Sequence, residues 1–202
     1  TVMTMRWVFD ELLAEAGTTV DEHITLLPAE TIARHVWRDG SALDLYADMQ
    51  QSADAVGAFA GADEARAFLN FSAEAQRIYV TLEADYLRAP QTGILGLTAR
   101  FGLRRLPELA RIRPYSRMWS ALGEHFKDPR LQQLYGRYAG YCGASPFLAP
   151  ATLMLVAAVE QQGVWLIKGG MYRLVEMLSK QAERLGASLR FGASDKAPYQ
   201  MR

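Results

Sequence analysis

GVWLIKGGMYRLVEMLSKQAERLG, residues 163–186, reads as a strand, a two-glycine turn and a helix in direct succession. GVWLIK is a short apolar run bounded by glycine on both sides, the mark of a buried strand. Met171, Leu174, Val175, Leu178, Ala182 and Leu185 then recur at helical spacing, and Gly186 stands where a helix-ending glycine belongs. A second short strand is expected over residues 188–191. Gly169-Gly170 lets a backbone or a flat ligand approach closely. The helix N-terminus behind the pair favours an anion or an electron-rich ring edge. The same pair is equally read as a plain tight turn.

Upstream lies DPRLQQLYGRYAGYCGASPFLAP, residues 128–150. Asp128 followed by Pro129 predicts a helix start, with the carboxylate at the N-cap and proline at the first helical position. Leu131, Leu134, Tyr135, Tyr138, Ala139 and Cys142 make one apolar stripe. Tyr135 and Tyr138 are core residues on that reading, or the lining of an apolar pocket. Residues 151–161 predict a helix apolar nearly all round, and hence central. Still further upstream, Phe68, Phe71, Ala75, Ile78, Tyr79, Leu82 and Tyr86 hold a 3.6-residue period from Asp63 until Pro90. Residues 26–37 and 43–46 lean towards strand. With Asp39-Gly40 as a two-residue loop, Val36 would face Leu43. Residues 5–16 predict an amphipathic helix ended by Gly17. The order is a small sheet, a block of helices, then strand, helix and strand.

Composition narrows the function. The 202 residues carry 22 basic and 22 acidic side chains, so no bulk positive charge draws the chain to nucleic acid. One cysteine, Cys142, excludes a disulfide framework and a cysteine-rich zinc site. His23, His35 and His125 stand at no metal-ligand spacing, so no metal is expected. No stretch reaches the about 20 apolar residues of a spanning helix. The chain opens at Thr1 with strand-like residues and reads as a piece of something longer. GxGxxG and Walker A motifs are absent from it, as is a Ser-His-Asp or Cys-His order. One segment is unusual: Arg100, Arg104, Arg105, Arg111, Arg113 and Arg117 alternate with Leu103, Leu106, Leu109 and Ile112. It suits the surface of an anionic bilayer, or a solvated helix face above a core.

Three stretches carry a resemblance. They are TVMTMRWVFDELLAEAG with the later VWRDGSALDLYAD, the segment 128–150, and the segment 163–193. In this order they resemble the carotenoid desaturases of the phytoene-desaturase type, within the wider flavoprotein class of the amine oxidases. The YCGASPFLAP variant is similar to members that act on hydroxyneurosporene and methoxyneurosporene. The resemblance implies an α/β enzyme with an α+β insertion: a Rossmann-type half for FAD, and a helix-rich substrate region with a small mixed β-sheet. Residues 1–17 and 164–193 would belong to the FAD side, 18–163 to the substrate region, and 194–202 to a divergent tail. The missing flavin-binding segments would lie elsewhere in the same polypeptide, so this chain alone is expected to be inactive.

On that template Lys168, Gly169, Gly170 and Met171 form a flavin-facing turn, and Tyr138, Tyr141, Pro146, Phe147 and Trp165 line the carotenoid channel. Arg100, Arg104, Arg105 and Arg111 face a membrane, on a cytoplasmic, peripherally bound enzyme. No residue suggests itself as the proton acceptor. The alternatives are another phytoene-desaturase-like or retinol-type flavin oxidoreductase, and a non-enzymatic module for an apolar ligand or a membrane. Changing Arg100, Arg104, Arg105 and Arg111 together to Gln should cut binding to anionic vesicles at low salt, since each basic residue near such a surface contributes about 1 kcal/mol. Thermal stability should barely change. Equal cosedimentation of variant and parent would contradict the docking reading, and a large loss of stability would show the arginines paired within the fold.

Overall fold

The computed structural model describes residues 2–88 and 112–192, less the side chains of Ala84 and Asp85. The chain divides into two compact units. One joins the segment up to Pro28 to the segment from Trp165 onward, and the other is Ala29–Val164. Sheets are antiparallel and two-stranded, so the small mixed sheet expected from the resemblance is replaced by two separate ribbons.

In the first unit, α1 (Arg6–Glu15), β1 (Leu26–Pro28), β4 (Trp165–Ile167) and α8 (Tyr172–Arg184) surround a small core. Strand β1 pairs with β4, and Met3 bridges the other side of β4 through reciprocal 2.8 Å hydrogen bonds with Trp165. Met3, Leu13, Val20, Ile24, Ile167 and Met177 are buried together. Both helices end in the same way. Gly17 N–H donates to Ala14 O and Thr18 N–H to Leu13 O, while Gly186 N–H donates to Glu183 O and Ala187 N–H to Ala182 O. This is the paired closure that needs a left-handed residue, and Gly17 (φ 72°) and Gly186 (φ 91°) supply it. Both expected stripes are only partly covered. Val8 and Leu12 stay exposed on α1, as do Val175 and Leu185 on α8. The strand expected at 188–191 does not form, because no strand among the described residues pairs with it; Phe191 is exposed.

The second unit opens with a hairpin, β2 (Thr31–Val36) and β3 (Ala42–Tyr46). Its register differs from the expected one. His35, not Val36, lies opposite Leu43, and the loop is Arg38-Asp39-Gly40. Trp37 N–H donates to Ser41 O and Gly40 N–H to Trp37 O, with Gly40 left-handed at φ 83°. A three-residue loop with glycine at its last position is the alternative that Asp-Gly also permits, and a one-residue slip reverses every side chain. The run 26–37 is broken after Pro28, whose missing N–H suits a strand end.

Helix α2 (Met49–Ala60) is one the apolar periodicity does not announce. Asp48 caps it by accepting from Gln51 N–H at 2.7 Å, and Ser52 fastens it to β3 through Tyr46 N–H and C=O. After Gly61 comes α3 (Ala62–Leu82), which buries Phe68, Phe71, Ala75, Ile78, Tyr79 and Leu82. A π-helical turn, Glu83–Leu87, follows, with Tyr86 exposed. Pro90, expected to end this run, lies outside the described residues.

Helices α4 (Met118–His125), α5 (Pro129–Gly136), α6 (Tyr138–Tyr141) and α7 (Leu155–Gln161) complete the unit, α7 preceded by a 3₁₀ turn at Ala151–Met154. The expected stripe 131–142 is interrupted at Arg137, between α5 and α6, and Cys142 is exposed rather than buried. Phe71, Phe126 and Tyr135 form the aromatic centre, with Phe71 and Tyr135 ring centroids 4.4 Å apart and Phe126 stacked on Tyr135 at 5.2 Å. Glu64, buried at the start of α3, accepts from Lys127 and Asp128 N–H at 2.8 and 3.0 Å. That joins the starts of α3 and α5.

The N-cap at Asp128 is as the sequence predicts: its carboxylate accepts from Arg130 N–H at 2.8 Å. The Arg130 guanidinium, first, holds this carboxyl below the usual aspartate range, and the backbone N–H helps. Asp128→Ala should therefore cost about 1 kcal/mol at neutral pH, read by urea unfolding. A group whose folded pKa is lowered stabilises above its unfolded pKa of about 3.9 and loses that contribution as pH falls through the folded value. The gap between parent and variant should close in acid.

Candidate functional site

Two places in the fold can do chemistry, one in each unit. In the first unit it is the turn between β4 and α8. Lys168 N–H is tied to Thr25 O at 3.0 Å, and its side chain is exposed. Gly169 and Gly170 are both left-handed, with φ 87° and 92°. Gly170 N–H closes the turn on Ile167 O at 2.9 Å, and Gly170 O accepts from Arg173 N–H at 3.2 Å. The two glycines differ in surroundings. A Cβ on Gly169 would lie 3.3 Å from Arg173 Cγ, whereas one on Gly170 would meet nothing within 4 Å. Gly170 thus presents bare backbone to open space, which fits the edge of a flat group such as a flavin. Met171 turns the other way and packs against the core of the unit.

In the second unit, the site is built where α5, α6 and α7 meet. Because the chain breaks its helix at Arg137, the side chains of Tyr135, Arg137, Tyr138 and Tyr141 fan around Glu160 of α7. Arg137 Nη2 lies 3.1 Å from Glu160 Oε2, and Tyr138 Oη donates to the same oxygen at 2.6 Å. Arg137 Nη1 donates to Tyr141 Oη. Ring centroids step from Tyr135 to Tyr138 at 6.0 Å and on to Tyr141 at 5.9 Å, from the buried centre to a ring 64% exposed.

Burial pushes the Tyr135 and Tyr138 phenols well above their ordinary range, so both stay neutral. It also pushes the His35 imidazole down, with Arg137 adding to the effect. Burial works against the charge on Arg137, but Tyr138 and Glu160 outweigh it. Tyr135 Oη, Arg137 Nε and His35 Nε2 are buried and find no hydrogen-bond partner among the described residues. Each such atom costs about 1–3 kcal/mol. A closed cavity of about 10 Å³ sits among Ile32, Phe68, Ser72, Tyr135, Tyr138 and Glu160. That is about the space of one water molecule.

The expected channel residues are therefore dispersed. Tyr138 and Tyr141 belong to this ladder. Pro146 and Phe147 belong to a loop fastened to α4, where Trp119 N–H donates to Pro146 O at 3.0 Å and the Trp119 and Phe147 rings lie 4.8 Å apart. Gly136 admits both Trp119 and Pro146, since a Cβ there would lie 3.4 Å from the indole. Phe147 and Leu148 are exposed. Trp165 lies in the first unit, half-buried against its core. Arg100, Arg104, Arg105 and Arg111 fall outside the described residues, as does the tail 194–202.

The partners of Tyr138, namely Arg137, Glu160 and His35, escape a reading of the sequence. Arg137 and Glu160 are 23 residues apart, and nothing in their spacing links them. Two wider open grooves, of about 560 and 650 Å³, flank the hairpin, but charged Arg34, Asp39, Asp44 and Arg130 rim them. Among the described residues, no three His, Cys, Asp or Glu side chains gather as a metal site, and no helix is long and apolar enough to cross a membrane.

No family model matches the chain. Individual proteins do. The chain is 49% identical over 193 residues to the hydroxyneurosporene desaturase of Rubrivivax gelatinosus, covering 95% of this chain and 37% of that protein. It is 43% identical over 195 residues to the hydroxyneurosporene desaturase of Cereibacter sphaeroides, covering 96% of this chain and 39% of that protein. The phytoene desaturase of Cercospora nicotianae matches at 29% over 191 residues, 94% of this chain and 30% of that protein. Over nearly its whole length, then, the chain is homologous to a segment of the carotenoid desaturases. Within that group it is similar to the hydroxyneurosporene desaturases, and it spans about two fifths of the length of those relatives.

Proposed function

We propose that this chain is the substrate-binding segment, with one flank of the flavin site, of an FAD-dependent carotenoid desaturase acting on polyenes of the hydroxyneurosporene or methoxyneurosporene type. The observation that carries the reading is the 49% identity to a hydroxyneurosporene desaturase across 95% of the chain. In this reading the first unit belongs to a Rossmann-type FAD domain of the amine-oxidase class, and the second receives the carotenoid. FAD, with Lys168, Gly169, Gly170 and Met171 at its edge, supplies the two-electron acceptor for dehydrogenation. The contribution of the chain is to bind and to exclude. Gly170 leaves backbone bare where a planar ring needs close approach. The apolar walls of α5–α7 hold a hydrocarbon out of water, and Tyr138, Tyr141, Pro146, Phe147 and Trp165 are the aromatic and apolar surface offered to it.

Exposed Phe147 and Leu148, with the arginine-rich segment that ends at Arg117, support peripheral attachment to a membrane on the cytoplasmic side, from which a polyene would be drawn. Electrons would leave to an acceptor held by the rest of the polypeptide.

A chimera tests this. Residues 2–192 replace the matching segment of the Rubrivivax gelatinosus desaturase, and the product is assayed with carotenoid-loaded membranes. The expected result is retained flavin and a red-shifted polyene spectrum. A folded, flavin-loaded chimera that leaves the spectrum of every carotenoid unchanged contradicts the reading.

A further inference from the structure

We infer that the Arg137–Glu160 cluster of the second unit is a hydroxyl-recognition subsite, in which Tyr135 Oη, with Arg137 Nε and His35 Nε2, takes the hydroxyl borne by one end of the polyene substrate. The inference rests on the desaturase reading above and deepens it. Tyr135 is 2% exposed, lines the small cavity, and has a phenol oxygen with no partner among the described residues. A phenylalanine would fill the same aromatic centre without that oxygen, so packing alone does not account for a tyrosine there. Arg137 Nε and His35 Nε2 are likewise buried and unpartnered, and both groups feel the same Glu160 carboxylate.

The charges decide what kind of guest fits. Arg137 and Glu160 neutralise one another at 3.1 Å, and Tyr138 already occupies the carboxylate. A cation would meet the guanidinium, and an anion would meet the carboxylate. What the cluster can accept is a small neutral group that both donates and accepts hydrogen bonds. The cavity of about 10 Å³ admits an oxygen, not a carbon skeleton. The polyene itself would lie outside, along the ladder that runs from Tyr135 through Tyr138 to exposed Tyr141. A methoxy oxygen accepts but cannot donate, so it would satisfy fewer of these atoms than a hydroxyl does. The relatives divide in the same sense. Those 42–49% identical are named for hydroxyneurosporene, while those 25–29% identical are named for phytoene, diapolycopene or diaponeurosporene. A single buried water has the same chemistry as the proposed hydroxyl, and the test separates the two.

In the chimeric holoenzyme, kcat/KM is measured for hydroxyneurosporene and for its hydroxyl-free counterpart, neurosporene. Tyr135→Phe keeps the ring and removes only the oxygen. The preference for the hydroxylated substrate should fall about tenfold, the size of one neutral hydrogen bond, and the change should lie in KM. Arg137→Lys keeps the charge opposite Glu160 but loses Nε, and should move the preference in the same direction. An unchanged preference in both variants means that the cavity holds water only and overturns the subsite. Equal losses on both substrates mean that Tyr135 serves packing alone and overturn it too. A parent chimera that desaturates neither carotenoid overturns the function and the subsite together.

Discussion

Glu160 and Arg137 face each other at 3.1 Å on the flank of an otherwise apolar helical interior, and the second unit is organised around holding them there. An ion pair that is mostly out of water is costly unless its remaining hydrogen-bonding capacity is filled. Tyr138 fills part of it through Glu160 Oε2, and Tyr141 takes another part through Arg137 Nη1. To present these groups together the chain must stop α5 after Gly136, turn at Arg137 and begin a short α6 at Tyr138. The same break sends Tyr135 inward, to stack on Phe126 and meet Phe71. A continuous helix would distribute the tyrosines along one stripe and leave Glu160 without partners.

The first unit solves a different problem. Its core is small, and its order comes from backbone closure more than from burial. Met3 and β1 flank β4, and both helices stop on left-handed glycines whose hydrogen bonds are complete. Arg184 adds a bond to the carbonyl of Ala16, joining the end of α8 to the end of α1. The outcome is a turn, Lys168–Met171, in which one glycine lies under an arginine stem and the next is bare. That asymmetry is what a site for a flat ligand needs from a scaffold: fixed backbone with one uncovered face.

What could be read from the sequence was local. Helix α3 shows itself in Phe68, Phe71, Ala75 and Ile78, and α5 in Asp128-Pro129, because spacing and capping act within a few residues. Helix α2 is concealed because it buries Ser52, Ala53 and Val56, side chains too small to draw an apolar stripe. The hairpin register was not legible because Asp39-Gly40 is compatible with two- and three-residue loops, and the packing of Leu43 and Leu45 decides between them. The candidate site was half legible. The paired glycines and the tyrosines stand out, whereas Arg137, Glu160 and His35 come together only through the tertiary fold. The relationship to carotenoid desaturases was legible where composition was silent, because it resides in the order of three stretches and not in any catalytic triad or metal motif.

The central claim is that the second unit receives a polyene along α5, α6 and α7. Amide hydrogen exchange of the folded chain, with and without hydroxyneurosporene in detergent micelles, tests it directly. The account predicts slowed exchange over residues 129–161, strongest around Tyr138 and Tyr141, and little change over α1. Exchange unaltered by the carotenoid, or slowed only in the first unit, would contradict it.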